Sequence, residues 1–296
     1  MNPIATRTNS THWKVLAGAL TMALALSLAV HAAESSRKFD QTYPLESSQS
    51  LTVSNVNGRI QVSSWDRQEV RVQAVIHAKG LSEEKVQATL KQINVEVTPS
   101  SAGLKVETLY PHHHDGFFAW LTGQHVSAEV DYELTVPRQT SLAAETVNGS
   151  VHVDRVAGKL KLSSTNGSIH VNGASGSIVA DTTNGSVKIQ HSQGSLRAET
   201  TNGAIEAELS SVDPKANLHL ETVNGHIALT LPSDLGADIH AETVNGAIRS
   251  DLPVTVQGKL NRREFNGKLN GGGATVHLET VNGSIHLLRL GAASDS

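Results

Sequence analysis

The sequence predicts an all-β protein: a parallel β-solenoid (β-helix) of coils about 18–22 residues long, preceded by a β-rich unit with one short helix. Three observations predict it. Glycines stand at 149, 158, 167, 176, 185, 194 and 203, each nine residues after the last. Alternate members close a recurring word, Glu145-Thr-Val-Asn-Gly149, Ser163-Ser-Thr-Asn-Gly167, Asp181-Thr-Thr-Asn-Gly185 and Glu199-Thr-Thr-Asn-Gly203, so the full repeat is 18 residues in two halves. The second residue after the Asn-Gly that closes each such word is aliphatic, as Val151, Ile169, Val187, Ile205, Ile227, Ile248, Leu269 and Ile285.

Read from the start, the chain opens with a segment that looks like targeting rather than fold. Arg7 and Lys14 are followed by a mostly apolar run from Leu16 to Val30, and Val30-His31-Ala32 supplies small residues for cleavage. Residues 1–32 therefore read as a signal peptide, with the mature chain beginning near Ala33. The run is shorter than the ~20 apolar residues a membrane helix needs. No later segment is long and apolar enough to span a bilayer. The sequence has no cysteine, which excludes both a lipoprotein anchor and a disulfide framework. Without Arg7 and Lys14, 22 basic residues face 28 acidic ones, a balance that argues against nucleic acid as a partner.

Hydrophobic residues make up 38% of the chain and aromatics only 3%, so the core must come from Val, Ile, Leu and Ala. Beyond the leader, eight of nine aromatics precede residue 133, and only Phe265 follows. That shift divides residues 34–137 from a repeat domain at 138–290, with a tail at 291–296. Within the first unit, Leu51 to Val62 reads as strand, Asn57-Gly58 turn, strand. Glu69–Ile76, Asn94–Thr98, Leu104–Leu109 and Val126–Val136 are further strands. Over 82–93, Val86, Leu90 and Ile93 recur at helical spacing behind Ser82, a suitable N-cap.

In the repeat domain each coil is two short strands and two corners, too small to bury its own apolar face. The corner pairs are Asn148-Gly149, Asn166-Gly167, Asn184-Gly185, Asn202-Gly203, Asn224-Gly225, Asn245-Gly246 and Asn282-Gly283. Glycine is expected there for positive φ, and the stacked asparagines for an amide ladder from coil to coil. Thr146, Thr182, Thr200, Thr222, Thr243 and Thr280 should align in the same way. The rival reading of each Asn-Gly as a two-residue hairpin turn fails to explain why the beat persists through 158, 176 and 194, where Asn is missing.

These words, together with Val130-Asp-Tyr-Glu-Leu-Thr-Val-Pro137 and Asn55-Val-Asn-Gly-Arg-Ile-Gln-Val-Ser-Ser-Trp-Asp66, resemble the bacterial "putative adhesin" family, a domain of unknown function in envelope proteins. The likeness covers about residues 36–290. It implies a β-solenoid without catalytic residues and an adhesive role. Arg262 to Gly273 departs from the pattern, because Glu-Phe replaces Thr-Val and a glycine run interrupts the coil.

Several groups invite chemistry. Glu145, Asp181, Glu199, Glu221, Glu242 and Glu279 share one repeat position and form a carboxylate column, interrupted at Ser163 and Arg263. It reads either as a solvated edge or as a weak divalent-cation surface. The turns lack the aspartates of calcium-binding glycine repeats. His112, His113 and His114 read as a solvated loop with a metal-binding alternative. Phe117, Phe118, Trp120 and Leu121 concentrate apolar surface in one loop, either as a cap over the open solenoid end or as a partner-binding patch. No nucleophile elbow, zinc-helix motif or phosphate loop is present. Catalytic, cofactor and metal residues are therefore expected to be none. The expected function is an exported, non-catalytic, adhesin-like protein of the periplasm or cell surface that binds a glycan or an envelope protein. The alternatives are an envelope-stress accessory that docks on a membrane protein through residues 34–137, and a polysaccharide-acting β-helix enzyme.

Overall fold

The computed structural model describes residues 32–46, 49–110, 126–256 and 262–291. Residues 1–31, which hold nearly all of the expected leader, lie outside the described residues. So do His112, His113, His114, Phe117, Phe118, Trp120, Leu121 and residues 292–296 of the tail.

In chain order the first elements are β1 (Ala33–Pro44), β2 (Ser50–Ser54), β3 (Ile60–Trp65), β4 (Glu69–Gly80), helix α1 (Glu83–Gln92), β5 (Asn94–Ser100), β6 (Gly103–Leu109) and β7 (Ser127–Pro137). There follow β8 (Ser141–Asn148), β9 (Val151–Asp154), β10 (Ala157–Asn166), β11 (Ile169–Asn172), β12 (Ser175–Asn184) and β13 (Val187–Asn202). Then come β14 (Ile205–Ser211), β15 (Asn217–Asn224), β16 (Ile227–Leu231), β17 (Ala237–Thr243) and β18 (Ile248–Ser250). The last are β19 (Val254–Val256), β20 (Glu264–Leu269), β21 (Ala274–Asn282) and β22 (Ile285–Arg289).

Strands that flank an Asn-Gly corner do not pair with each other, as a hairpin would require. They pair one coil on: β8 with β10 and β9 with β11, both parallel, setting Asn148 opposite Asn166 and Val151 opposite Ile169. Two columns result. The first runs β2, β8, β10, β12, the second half of β13, β15, β21 and β17 in parallel. The second runs β7, β3, β9, β11, the first half of β13, β14, β16, β22 and β18, also in parallel. Alternate side chains point between the columns, so Leu142, Leu160, Ile178, Leu196 and Leu218 face Val151, Ile169, Val187, Ile205 and Ile227 across a buried core of aliphatics. Each such side chain contributes about 1.5–3 kcal/mol on burial, which no single coil could collect alone.

The sheet as a whole is mixed. Antiparallel pairing of β7 with β4, β4 with β1 and β5 with β6 closes the first end, with α1 carrying Val86 and Leu90 into the core. β20 lies antiparallel to both β17 and β19 at the other. These strands lie at the two ends of the stack among the described residues. The composition shift near residue 137 coincides with no break in hydrogen bonding, because β2 and β3 stack directly on β8 and β9.

Two local expectations are corrected. Positive φ belongs to the half-repeat glycines, Gly158 (+133°), Gly176 (+116°) and Gly194 (+105°), and not to the Asn-Gly glycines of the repeat domain. At the latter the constraint is space: a Cβ on Gly167 would overlap the carbonyl of Gly149, and Gly185, Gly203 and Gly225 meet the same obstacle one coil away. Second, Leu269 does not join the column of Ile248 and Ile285. Asn266-Gly267 falls inside β20, which runs antiparallel against β17, so Leu269 sits opposite Ala237. The glycine run then turns the chain, with Asn270 to Gly273 all at positive φ, and sends β21 back between β15 and β17. The last coil in sequence is therefore the penultimate coil in space.

Candidate functional site

The corner between the columns carries a continuous side-chain ladder. Asn148 donates to Asn57, Asn166 to Asn148, Asn184 to Asn166, Asn202 to Asn184, Asn224 to Asn202, Asn282 to Asn224 and Asn245 to Asn282, each from Nδ2 to Oδ1 at 2.8–2.9 Å. Asn57, which sequence reasoning placed in an ordinary turn, is the first rung. The threonines align as expected but do not bond to one another. Ser164, Thr182, Thr200, Thr222, Thr280 and Thr243 donate to the carbonyls of Gly149, Gly167, Gly185, Gly203, Gly225 and Gly283 at 2.8–2.9 Å. Each hydroxyl thus satisfies a half-buried backbone acceptor of the neighbouring coil.

At the first end, Asn55 holds the threonine position. Its amide donates to Val130 O at 2.8 Å, while its Oδ1 accepts from Thr108 at 3.0 Å and Tyr110 at 3.3 Å. The Thr108 hydroxyl lies 2.7 Å from that of Tyr132. Burial pushes the Tyr132 phenol up to about 12, against the opposing effect of its hydrogen bond with Thr108. This knot of polar groups is structural.

Along the outer face of the first column the carboxylates come into register. Asp181, Glu199, Glu221, Glu279 and Glu242 occupy successive strands, and Glu264 continues the series opposite Glu242. Ser163 separates Glu145 from this run. Arg263 does not interrupt it, since β20 runs antiparallel and offers Glu264. Burial, reinforced by Glu199, raises the Asp181 carboxyl above its ordinary value, and its Oδ1 is buried without a hydrogen-bond partner. Two residues before the acids, a second outward row reads Lys161, Val179, Arg197, His219, His277 and His240. The last three stack as rings 5.0 Å apart. The sequence carries this triad in the word His-x-Glu-Thr-Val-Asn-Gly at 219, 240 and 277, and the chain reversal sets His277 between the other two.

The groove beside the acids, about 310 Å³, is open and polar, lined by residues including Ser163, Thr165, Thr183, Thr201, Asp181 and Glu199. On the other column His152 stacks on His170 at 4.7 Å. Burial lowers the affinity of both imidazoles for a proton, helped by their mutual repulsion for His152 and by Lys188 for His170. No helix among the described residues is long and apolar enough to cross a membrane.

Stacked strands in two columns, laced by side-chain ladders and closed by antiparallel strands, define an all-β, solenoid-like protein. The chain belongs to the Toastrack DUF4097 family, whose pattern matches residues 30–288. Among solved structures it is similar to a "putative cell adhesion protein" from Clostridium sporogenes, at 12% identity over 86% of this chain and 100% of that one, with a TM-score of 0.38. A "putative adhesin" from Bacteroides fragilis matches at 8% identity over 85% and 97%, with a TM-score of 0.38. A "putative lipid binding protein" from Parabacteroides distasonis matches at 10% identity over 85% and 96%, also at 0.38. No curated protein matches the sequence.

Proposed function

We propose that this chain is an exported, non-catalytic, adhesin-like protein of the bacterial envelope, a rigid parallel solenoid whose outer face binds a glycan. The observation that carries this reading is the polar groove of the first column, where exposed Thr165, Thr183 and Thr201 stand one coil apart beside Asp181 and Glu199. Hydroxyls and carboxylates at a fixed spacing of about 4.8 Å suit a polyhydroxylated polymer lying along the stack. The groove is open rather than a closed pocket, and its acids repeat from coil to coil rather than converging on one bond, which supports binding over catalysis. An envelope protein in place of a glycan is the other occupant consistent with such a face.

The test is binding of the labelled chain to intact cells and to isolated envelope polysaccharide, alongside a variant with Thr165, Thr183 and Thr201 replaced by alanine. The wild type should adhere to both and the variant to neither. Adhesion that survives glycan removal, or is equal in the two proteins, overturns the glycan reading. Deleting residues 34–137 is a poor test of docking through the first unit, because it strips β2 and β3 from β8 and β9 and opens the stack.

A further inference from the structure

We propose that Glu199, His219 and Glu221 form a surface site for a divalent transition-metal ion of the zinc class. One ligand atom from each lies within 4.8 Å of the others. His219 Nε2 stands 3.5 Å from Glu199 Oε1 and 3.4 Å from Glu221 Oε2. Both separations exceed a normal N–H···O hydrogen bond, about 2.7–3.2 Å. They match the ligand-to-ligand span of a tetrahedral ion whose Zn–N and Zn–O bonds are about 2.0–2.2 Å long, namely about 3.3–3.5 Å.

Two further features point to an ion. Glu199 Oε1 is closed off from water and makes no hydrogen bond of normal geometry; it faces only His219 and the guanidinium of Arg197. That oxygen favours a cation beside it, a place the Arg197 guanidinium holds and a metal ion would take over. The same pairing recurs one coil on, where His277 stacks on His219 and sets its Nε2 3.5 Å from Glu279 Oε2. The acids from Asp181 to Glu264 form a continuous row along this strip, which favours cations there.

The donor set selects the ion. One imidazole and two carboxylates, with the outer side open to water as a fourth ligand, suit Zn²⁺, Co²⁺ or Cu²⁺. Ca²⁺ prefers six to eight oxygen donors, which this strip does not converge. Bound there, the ion joins β13 to β15 beside the returning strand β21, and fastens the coils where the chain departs from its sequential order.

The experiment titrates the full chain with Zn²⁺ by calorimetry and with Co²⁺ by its visible absorption. His219→Ala, Glu221→Gln, Arg197→Ala and a triple alanine variant of His112, His113 and His114 are compared. The expected result is one ion per chain with tetrahedral Co²⁺ bands, weakened by about tenfold or more in His219→Ala and Glu221→Gln. Binding should be unchanged in the triple variant and tighter in Arg197→Ala, where a competing cation is gone. Circular dichroism confirms that each variant is folded; Arg197, His219 and Glu221 face outward, so the fold of their variants is expected to survive. Absence of Zn²⁺ binding in the micromolar range overturns the proposal. So does binding that disappears only in the triple variant, or Ca²⁺ binding as tight as Zn²⁺. None of these readouts involves a glycan, so this site and the proposed adhesive role stand or fall separately.

Discussion

The amide of Asn282 donates to Asn224 Oδ1 at 2.8 Å across 58 residues of sequence, whereas Asn245, which precedes Asn282 in the chain, donates to Asn282 at 2.9 Å. The ladder therefore follows spatial order and not chain order. Coil 274–289 is held on one side by a coil made well before it and on the other by a coil made just before it. Adding Asn282 to the growing stack fixes two neighbours at once.

Asn282→Ala removes two rungs, while Asn245→Ala removes the single bond at the end of the ladder. With a net contribution of about 0.5–1.5 kcal/mol per hydrogen bond, Asn282→Ala is expected to cost about 1–2 kcal/mol in urea unfolding and Asn245→Ala about half as much. Hydrogen exchange in Asn282→Ala should quicken in β17 as well as β21. Equal costs for the two variants would contradict the spatial order.

The glycines separate two causes of intolerance. Gly225→Ala places a methyl group against the backbone carbonyl of Gly203, which cannot move without breaking the register. Gly271 has φ +89° but nothing within 4 Å of a new Cβ. Gly271→Ala should therefore cost only the local strain of about 1–2 kcal/mol. Gly225→Ala should cost at least about 3 kcal/mol, because clash in a stacked interior has no relief. Thermal melts of the two variants measure the difference.

Period alone made much of this architecture legible. The nine-residue beat located the corners, and the aliphatic positions after each Asn-Gly located the core face, as the buried column from Val151 to Ile227 shows. Helix α1 was legible from Val86, Leu90 and Ile93. What was not legible depends on long-range order. The word at Asn266-Gly267 looks like a corner but pairs antiparallel, since its Glu-Phe lacks the threonine whose hydroxyl caps the neighbouring glycine carbonyl. Likewise Asn57-Gly58 was read as an isolated turn, because 91 residues separate Asn57 from the Asn148 it supports. The histidine triad had a signal in the repeated word His-x-Glu-Thr-Val-Asn-Gly at His219, His240 and His277, but only the reversed order of the last coils puts His277 in the middle.

Within the carboxylate column, Asp181 and Glu199 face each other on paired strands. Burial first, and Glu199 second, raise the Asp181 carboxyl above its ordinary value. A raised acid binds its proton more readily in the folded state than in the unfolded one, so it lowers stability as pH rises through that window. Asp181→Asn is therefore expected to stabilise the protein at neutral pH by about 0.5 kcal/mol, the scale of a like-charge cross-strand pair. The gain should vanish below the ordinary aspartate value, where the wild-type carboxyl is already protonated. Denaturation midpoints at neutral and strongly acidic pH measure both parts.

The stacked pair His152 and His170 should give the opposite slope. Burial is the largest cause lowering both imidazoles below their ordinary value of 6.5, with His170 acting on His152 and Lys188 on His170; Asp154 opposes this for His152 and Arg59 adds to it. Near and below 6.5 the unfolded chain takes up protons that the folded pair refuses. The pair's favourable contribution is thus fully present above the unfolded value and declines as pH falls through it. Replacing His170 with Gln removes one reluctant group and relieves His152 of a neighbouring charge. Its stability should fall less steeply than that of the wild type on acidification from neutral pH, and the His152 imidazole, followed by NMR, should titrate at a higher pH than before. A His152 titration that does not move on this substitution would show that the stacked rings do not sense each other's charge.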